Sequence, residues 1–389
     1  MDGFNRMQTV NVGKLLKKTV LALLILFAAM PVLALNPVNK NIRVGIIINT
    51  DSFSAAATDD FYIKGEDGRK FKLTKGMVKI SLSKDGLLIG NYAVNLPVKI
   101  ESSNGIIFAD KKPYRGFLYV NKSGNKINVI NVLSIEDYIK GVLPKEASAG
   151  WGIEALKAQA VISRTYTLSN ITKHSKQGFD MCDTTHCQVY GGAAVEALSC
   201  NKAVSATKGN VLSYDGKFAQ TVFHANCGGH TEDPKYVWNW SGETPAYLKG
   251  IKCGYCDNAP HANWEKSIAE SFIREKLSGY NVGKIASIKI KDVTPAGSAQ
   301  KVVIKHGKGT LEMNAYKFRL AVDAWQIRST TFDDIKKESG NFIFKGRGWG
   351  HKVGLCQWGA KGMADKGKKY KSILSHYYPK TKIEKIKYK

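Results

Sequence analysis

Two neighbouring stretches decide how this chain folds: Ile135-Glu-Asp-Tyr-Ile-Lys-Gly-Val-Leu-Pro-Lys-Glu146 and Ile153-Glu-Ala-Leu-Lys-Ala-Gln-Ala-Val-Ile-Ser-Arg-Thr-Tyr166. The first has a helical pattern that Gly141 and Pro144 are expected to end. The second is rich in alanine and carries apolar residues on more than one face, which is typical of a helix buried between other elements. Glu146 is then expected in a proline-led turn between the two helices, where a lone carboxylate suits proton transfer better than packing.

The acids at the start of the first stretch have a structural explanation. Ser134 followed three residues later by Asp137 is a capping-box pattern, and the helix dipole favours an acid such as Glu136 in the first turn. Glu146 is therefore the carboxylate of interest, and a surface glutamate that caps the next helix is the alternative.

Strand and turn signals surround these helices and predict an α+β fold. Residues 42–133 combine β-rich runs with turn tripeptides such as Lys84-Asp-Gly86. We expect a mixed and antiparallel sheet core with packed helices, and a smaller appended α+β unit that begins with a helix from Trp264 to Leu277. The expected segments are an N-terminal signal peptide or anchor (1–35), a β-rich region (42–113), a core region (114–261), the appended unit (262–340) and a C-terminal return that completes the core (341–389).

The N-terminus has the pattern of a targeting segment. Lys14, Lys17 and Lys18 precede the apolar run from Val20 to Leu35, which fits either a cleaved signal peptide or a retained membrane anchor. Both alternatives place the rest of the chain outside the cytoplasm. The net charge of +26 then favours anionic wall polymers and lipid headgroups as partners, and not nucleic acid, which an exported protein rarely meets. A solvated lysine-rich surface is the alternative.

Four blocks of sequence occur in order along residues 43–380. They are Tyr114-Arg-Gly116 with Leu133-Ser-Ile-Glu-Asp-Tyr138 and Pro144-Lys-Glu146; Ala155-Leu-Lys-Ala-Gln-Ala-Val161 with Arg164-Thr-Tyr166; Asp183-Thr-Thr185 and Cys187-Gln-Val-Tyr-Gly191 with Phe223-His-Ala-Asn226 and Gly228-Gly-His-Thr-Glu232; and Gly346-Arg-Gly-Trp-Gly-His351 with Gln357-Trp-Gly-Ala360. Together they resemble the stage II sporulation protein D and amidase enhancer family. The resemblance implies a lytic transglycosylase that cuts cell-wall glycan, preferring strands whose peptides a partner amidase has removed.

The resemblance implies that Glu146 is the acid and then the base of this reaction. One glutamate suffices because the muramic acid 6-hydroxyl attacks intramolecularly and leaves a 1,6-anhydro end. Some relatives instead bind peptidoglycan and enhance an amidase, which is the alternative; a hydrolase that activates water is a third interpretation. The residues expected to bind substrate are Lys145, Arg164, Tyr166, Gln188, Tyr190, His224, Thr231, His351 and Gln357.

Two parts of this substrate surface carry more specific expectations. Arg164 and Tyr166 lie two residues apart on one helix, so only one is expected to reach the cleft. We expect Arg164 to bind the lactyl carboxylate of muramic acid, with a buried ion pair as the alternative. Trp349 or Trp358 is expected to stack on a sugar ring.

A run rich in cysteine and histidine predicts a metal site. Zinc accepts thiolate and imidazole ligands at such short spacings. Because some members of the family carry zinc held from this stretch, we expect His174, Cys182 and Cys187 as ligands, with His186 as the alternative imidazole. The metal would shape the loop rather than activate water. A disulfide between Cys182 and Cys187 is the competing interpretation.

The remaining cysteines leave several pairings open, since seven cannot all pair within one chain. Cys253 and Cys256 fit a redox pair, a tight disulfide or half a zinc site, and a structural role is favoured. Cys227 and Cys356 stand where the family usually has serine, and Lys352 where it usually has glycine. A bridge between Cys227 and Cys356 is expected if the last two blocks converge.

Overall fold

More buried and more exposed residues alternate along the N-terminal strands, as in Ser52–Ala57, where Phe53 and Ala55 face the core. The computed structural model describes residues 35–84, 86–238, 240–260 and 262–389. The first ten strands are β1 (Asn41–Thr50), β2 (Ser52–Ala57), β3 (Phe61–Gly65), β4 (Lys70–Leu73), β5 (Gly76–Ser83), β6 (Gly86–Ile89), β7 (Tyr92–Val94), β8 (Val98–Ala109), β9 (Lys112–Ser123) and β10 (Lys126–Ser134).

These strands and β11 (Met181–Cys182) form one large sheet. Its main path runs β11-β1-β10-β9-β8-β2-β5-β6-β7, while β3 pairs with β8 and β4. The β1–β11 pair is parallel, with Val44 opposite Met181 and Gly45 opposite Cys182. The cysteine–histidine run is thereby attached to one edge of the sheet.

Three helices follow the sheet: α1 (Ile135–Glu146), α2 (Ile153–Ser169) and α3 (Leu198–Ala206). The cap predicted for α1 is confirmed, since Ser134 Oγ accepts a hydrogen bond from Asp137 N at 3.1 Å. The predicted end of α1 is wrong: the helix continues past Pro144 to Glu146. Proline in the final turn removes only the hydrogen bond of its own nitrogen, and Ala147 N still donates to Leu143 O at 2.9 Å.

Helix α2 is buried on several faces, as the sequence predicts. Ala158, Val161 and Ile162 pack in a core with Ala360 and Leu374 from the end of the chain. The other elements outside the appended region are β12 (Asn210–Tyr214), β13 (Lys217–Phe218), β14 (Phe223–His224), α4 (Pro234–Val237), β21 (Leu355–Cys356), α7 (Gln357–Asp365), α8 (Tyr370–Tyr377) and β22 (Lys382–Lys385).

Residues 263–347 contain two three-stranded sheets with a hydrophobic core of their own. Their elements are β15 (Asn263–Ala269), α5 (Glu270–Lys276), β16 (Ile285–Val293), β17 (Ala299–His306), β18 (Gly309–Asn314), α6 (Ala315–Val322), β19 (Phe332–Glu338) and β20 (Asn341–Arg347). The strand orders of the two sheets are β15-β20-β19 and β16-β17-β18. The predicted helix from Trp264 to Leu277 is wrong in its first half, because that stretch pairs with β20 as a strand.

Helices packed on mixed and antiparallel sheets confirm the α+β fold class. Contacts join residues 36–389 into one unit. Within the described ranges, no helix is both long and apolar enough to cross a membrane. The signal peptide or anchor predicted for residues 1–35 lies, except for Leu35, outside the described residues, and the other segment boundaries stay predictions.

Candidate functional site

Glu146 is the last residue of α1, partly buried against the cysteine–histidine loop. Its Oε1 accepts a hydrogen bond from Val189 N at 2.9 Å. Among the residues that the structure describes, no hydrogen-bond donor contacts Oε2. The carboxyl group is thus held by one of its two oxygens.

Two of the other sequence blocks bind Glu146 directly, and the remaining one contacts it through Gln357. The third block supplies Val189, and the fourth supplies Gln357, whose Nε2 donates to the main-chain oxygen of Glu146 at 2.9 Å. The same amide lies 3.4 Å from Oε1 of Gln159 in the second block. Segments separated by more than two hundred residues therefore fix the backbone and side chain of one acid. Gln159 and Val189 both lie within the sequence blocks, but no role was predicted for either residue.

The surroundings of Glu146 favour its protonated form. Burial raises the pKa of this carboxyl, against the hydrogen bond from Val189 N and the charge of exposed Lys145, which lower it. A carboxylate at a helix C-terminus also meets the negative end of the helix dipole, which acts in the same direction as burial. The site therefore retains a proton at higher pH than an exposed glutamate would.

The structure reverses the expectation for Arg164 and Tyr166. Arg164 is fully buried, and its Nη2 and Nε donate to the two carboxylate oxygens of Glu136 at 2.7 and 3.0 Å. Its guanidinium is therefore committed to an ion pair between α1 and α2 and does not reach a cleft. Tyr166 is partly exposed, and burial followed by the charges of Cys187, Cys182 and Glu146 raises its pKa to about 12. Tyr166 is the member of the pair whose hydroxyl interacts electrostatically with Glu146.

Tyr190 and Thr231 lie in the core instead of on a sugar-binding surface. The Tyr190 hydroxyl donates to Asn131 Oδ1 at 2.8 Å, and its ring packs 5.1 Å from that of Tyr138. The Thr231 hydroxyl accepts from Ile251 N at 2.8 Å. We assign both side chains a structural role in place of the expected contact with substrate.

Three further predicted substrate residues differ in exposure: His224 and Gln188 are buried, and His351 is partly exposed. His224 is buried, with Nδ1 3.1 Å from Val353 O, and its ring lies 5.5 Å from that of partly exposed His351. Burial lowers the pKa of His351 to about 4, so it is neutral at physiological pH. Gln188 is also buried and its Oε1 accepts from Thr167 Oγ1 at 2.9 Å. Within the described chain, His224 Nε2 and Gln188 Nε2 have no hydrogen-bond partner.

Two partly exposed tryptophans, Trp151 and Trp358, are connected to Glu146. Trp151 follows Glu146 by five residues, and Trp358 follows Gln357, whose amide binds the main-chain oxygen of Glu146. The rings of Trp151 and Trp358 meet edge to face at 5.4 Å, and Lys361 Nζ lies 5.7 Å from the centre of the Trp358 ring. Trp358 also lines a groove of about 290 Å³. Trp358 was a predicted sugar platform, whereas Trp151 was missed, because it belongs to none of the four blocks.

The cysteine–histidine run forms one cluster, in which the ligand atoms of His174, Cys182, His186 and Cys187 all lie within 4.8 Å of one another. Cys187 Sγ is 3.3 Å from His174 Nε2, and Cys182 Sγ is 3.6 Å from His186 Nδ1. Both cysteines are free thiols. The structure thus brings in both imidazoles, where the sequence predicted one. Two thiolates and two imidazoles fit four-coordinate zinc and leave no open position.

Comparison with known proteins matches two parts of the chain to family models. A model described as stage II sporulation protein matches residues 123–214, which include Glu146 and the cysteine–histidine cluster. A model described as a domain of unknown function matches residues 257–354.

Three relatives match between 64% and 86% of this chain. An uncharacterised protein of Brachyspira hyodysenteriae is 36% identical over 310 residues, 79% of this chain and 82% of that protein. The amidase enhancer of Bacillus subtilis is 30% identical over 86% of this chain and 53% of its own length, so the chain spans about half of that relative. Stage II sporulation protein D of Bacillus subtilis is 29% identical over 64% of this chain and 74% of its own length.

Proposed function

The chain belongs to the stage II sporulation protein D family, and from that membership we propose that it is a lytic transglycosylase acting outside the cytoplasm on peptidoglycan glycan strands. The observation that carries this proposal is the convergence of the four blocks on Glu146. Val189 and Gln357 come from two different blocks and bind this one acid, and Gln159 from a third block contacts the amide of Gln357. A surface glutamate that merely capped a helix would need none of these supports.

In the proposed reaction, Glu146 first acts as an acid. Its carboxyl proton passes to the glycosidic oxygen that leaves muramic acid, while positive charge develops at the anomeric carbon. The resulting carboxylate then takes the proton of the muramic acid 6-hydroxyl, whose oxygen bonds to the anomeric carbon. One bond is broken, one is formed, and the proton returns to Glu146. No water is consumed.

The positions of Glu136 and Asp137 count against a two-carboxylate hydrolase that uses either of them. Both lie in the first turn of α1, ten and nine residues before Glu146, which corresponds to roughly 15 Å along a helix. Hydrolytic pairs lie about 5 to 9.5 Å apart. Glu136 is bound to Arg164 and Asp137 to Lys140. A mechanism with a single carboxylate fits this arrangement better.

Product chemistry tests the proposal. Residues 36–389, incubated with peptide-free glycan strands, are expected to release fragments that end in 1,6-anhydro muramic acid, identified by mass spectrometry. Strands that retain their peptides should be cut more slowly, because the family preference is for glycan that an amidase has stripped. Fragments with ordinary reducing ends would contradict the transglycosylase and support hydrolysis.

A non-catalytic role as an amidase enhancer is the second candidate. It is favoured by the relative of that name, which aligns with 86% of this chain. The enhancer alternative predicts that the protein binds peptidoglycan and speeds release of stem peptides by an added amidase, with no new glycan ends. The two functions are thus separated by the same product analysis.

We also propose that His174, Cys182, His186 and Cys187 hold a structural zinc ion. With four protein ligands the metal would fix the loop that carries Val189, and so the hydrogen bond to Glu146. His174 presents Nε2 to the cluster while Nδ1 bonds to Gln177 Oε1, an arrangement that orients metal-binding imidazoles.

Elemental analysis of purified protein tests this site. Cys182→Ser is expected to lose one zinc ion per chain, since one ligand of four is removed. Cys200→Ala is the matched control, because Cys200 is buried in α3 outside the cluster, and its zinc content should equal that of the wild type. Equal zinc in Cys182→Ser and wild type would contradict the assignment.

A further inference from the structure

Four other cysteines meet in the core away from the loop just described. Cys227, Cys253, Cys256 and Cys356 have all their sulfur atoms within 4.8 Å of one another, and none is more than 2% exposed. All four are free thiols. They come from three separate segments: the loop after β14, the Cys253–Cys256 turn, and the start of α7.

The spacing of the sulfur atoms suits a single tetrahedral ion. A metal with four bonds to sulfur of about 2.3 Å separates its sulfurs by about 3.8 Å. Cys227 Sγ and Cys256 Sγ are 3.5 Å apart, and every other pair lies within 4.8 Å. A cluster of several iron atoms would hold its thiolates farther apart, because the irons and inorganic sulfides lie between them.

The surrounding backbone is arranged to stabilise thiolates. Cys227 N and Gly359 N each donate to Cys356 Sγ at 3.3 Å. Cys356 is also the N-cap of the nine-residue helix α7, whose N-terminus favours negative charge. Gly254 lies between Cys253 and Cys256 with a φ of +68°, a conformation that glycine adopts readily and that turns the chain sharply between the two cysteines.

A buried lysine lies close in sequence to Cys356. Lys352 is 1% exposed, and its Nζ donates to Ser298 Oγ at 2.8 Å and to Thr331 Oγ1 at 2.5 Å. Its ammonium is therefore bound by two hydroxyls of the appended region. Lys352 has a φ of +66°, which fits the glycine usual in the family at this position, so lysine is strained there. The same region departs from the family pattern at Cys227 and Cys356.

We propose that Cys227, Cys253, Cys256 and Cys356 bind a second, structural zinc ion. Zinc prefers such closed four-thiolate sites, and the ion would join three segments that share no continuous secondary structure. One of them is the start of α7, which carries Gln357 against Glu146 and Trp358 against the groove. The metal thus fixes the segment that holds Gln357 against the main chain of Glu146, without taking part in the reaction. The competing arrangement is two disulfides among the same four sulfurs.

Metal content and thiol state of the full chain test this proposal. The wild type is expected to contain two zinc ions per chain, and the double variant Cys227→Ser/Cys256→Ser one, whereas Cys200→Ala retains both. X-ray absorption of zinc in Cys182→Ser, where the four-cysteine site is the intact one, should give a shell of sulfur alone at about 2.3 Å.

A wild-type measurement keeps the test decisive if the double variant fails to fold. The chain denatured with chelator and without reductant should then alkylate at all seven cysteines. Four unreactive cysteines, with a mass lower by four hydrogens, would establish two disulfides and overturn the proposal. Seven reactive cysteines in a chain with no zinc beyond the cysteine–histidine site would also overturn it. Neither result depends on glycan cleavage, so the proposed function is tested separately.

Discussion

Replacing Glu146 by glutamine is expected to slow formation of 1,6-anhydro ends by about a hundred- to ten-thousand-fold. Glutamine keeps the shape of the side chain and can still accept the hydrogen bond that Val189 N gives to Oε1. It cannot donate a proton to the leaving oxygen or take one from the 6-hydroxyl. Binding of glycan should remain, because the substitution changes one atom of a single side chain. The measurement is anhydro product per unit time from peptide-free strands.

Two controls separate chemistry from folding. Glu101→Gln removes a partly exposed carboxylate paired with Lys99 in the N-terminal sheet and should leave cleavage unchanged. The free energy of unfolding of Glu146→Gln should equal or exceed that of the wild type, because a buried carboxylate is disfavoured when charged. The wild-type rate should fall as pH rises through the raised pKa of Glu146. Cleavage by Glu146→Gln at the wild-type rate would remove Glu146 from the mechanism.

Local patterns predicted the elements around Glu146 well. The capping pair Ser134 and Asp137, and the alanine-rich run of α2, are short-range signals that the structure confirms. The predicted end of α1 was wrong, because the rule that proline ends helices applies to helix interiors, whereas Pro144 lies in the last turn. That difference places Glu146 on a helix terminus and not in a turn, which changes the electrostatics of its carboxyl.

Long-range pairing explains the errors that sequence reasoning made. Trp264 and Ile268 face inward with a period of two, which is a strand pattern, but the strand exists because β20 pairs with it from some eighty residues later. The ion-pair partner of Arg164 could likewise not be predicted, because Glu136 lies on another helix. The four-cysteine cluster combines residues that were considered in pairs. In each case the deciding contact joins segments whose proximity only the folded chain provides.

Replacing Arg164 by methionine is expected to lower the free energy of unfolding by about 3 to 5 kcal/mol, the cost of breaking a buried ion pair from one side. Arg164 is 0% exposed, and its guanidinium binds both carboxylate oxygens of Glu136 and the main-chain oxygen of Asn210. Methionine fills much of the volume but leaves the Glu136 carboxylate without its cation. Urea unfolding measures the loss. Arg69→Met, which breaks an exposed pair with Asp67, should cost no more than about 1 kcal/mol.

A double-mutant cycle distinguishes an ion pair from simple packing. If the loss in Arg164→Met comes from an uncompensated carboxylate, then Glu136→Gln added to it should restore part of the stability, because the buried charge is removed. If the loss comes from cavities, the two substitutions should add. Glu136 also accepts hydrogen bonds from Gly209 N and the Tyr388 hydroxyl, so glutamine keeps acceptors for these donors. Additive losses would show that Arg164 stabilises the fold through packing and not through its ion pair with Glu136.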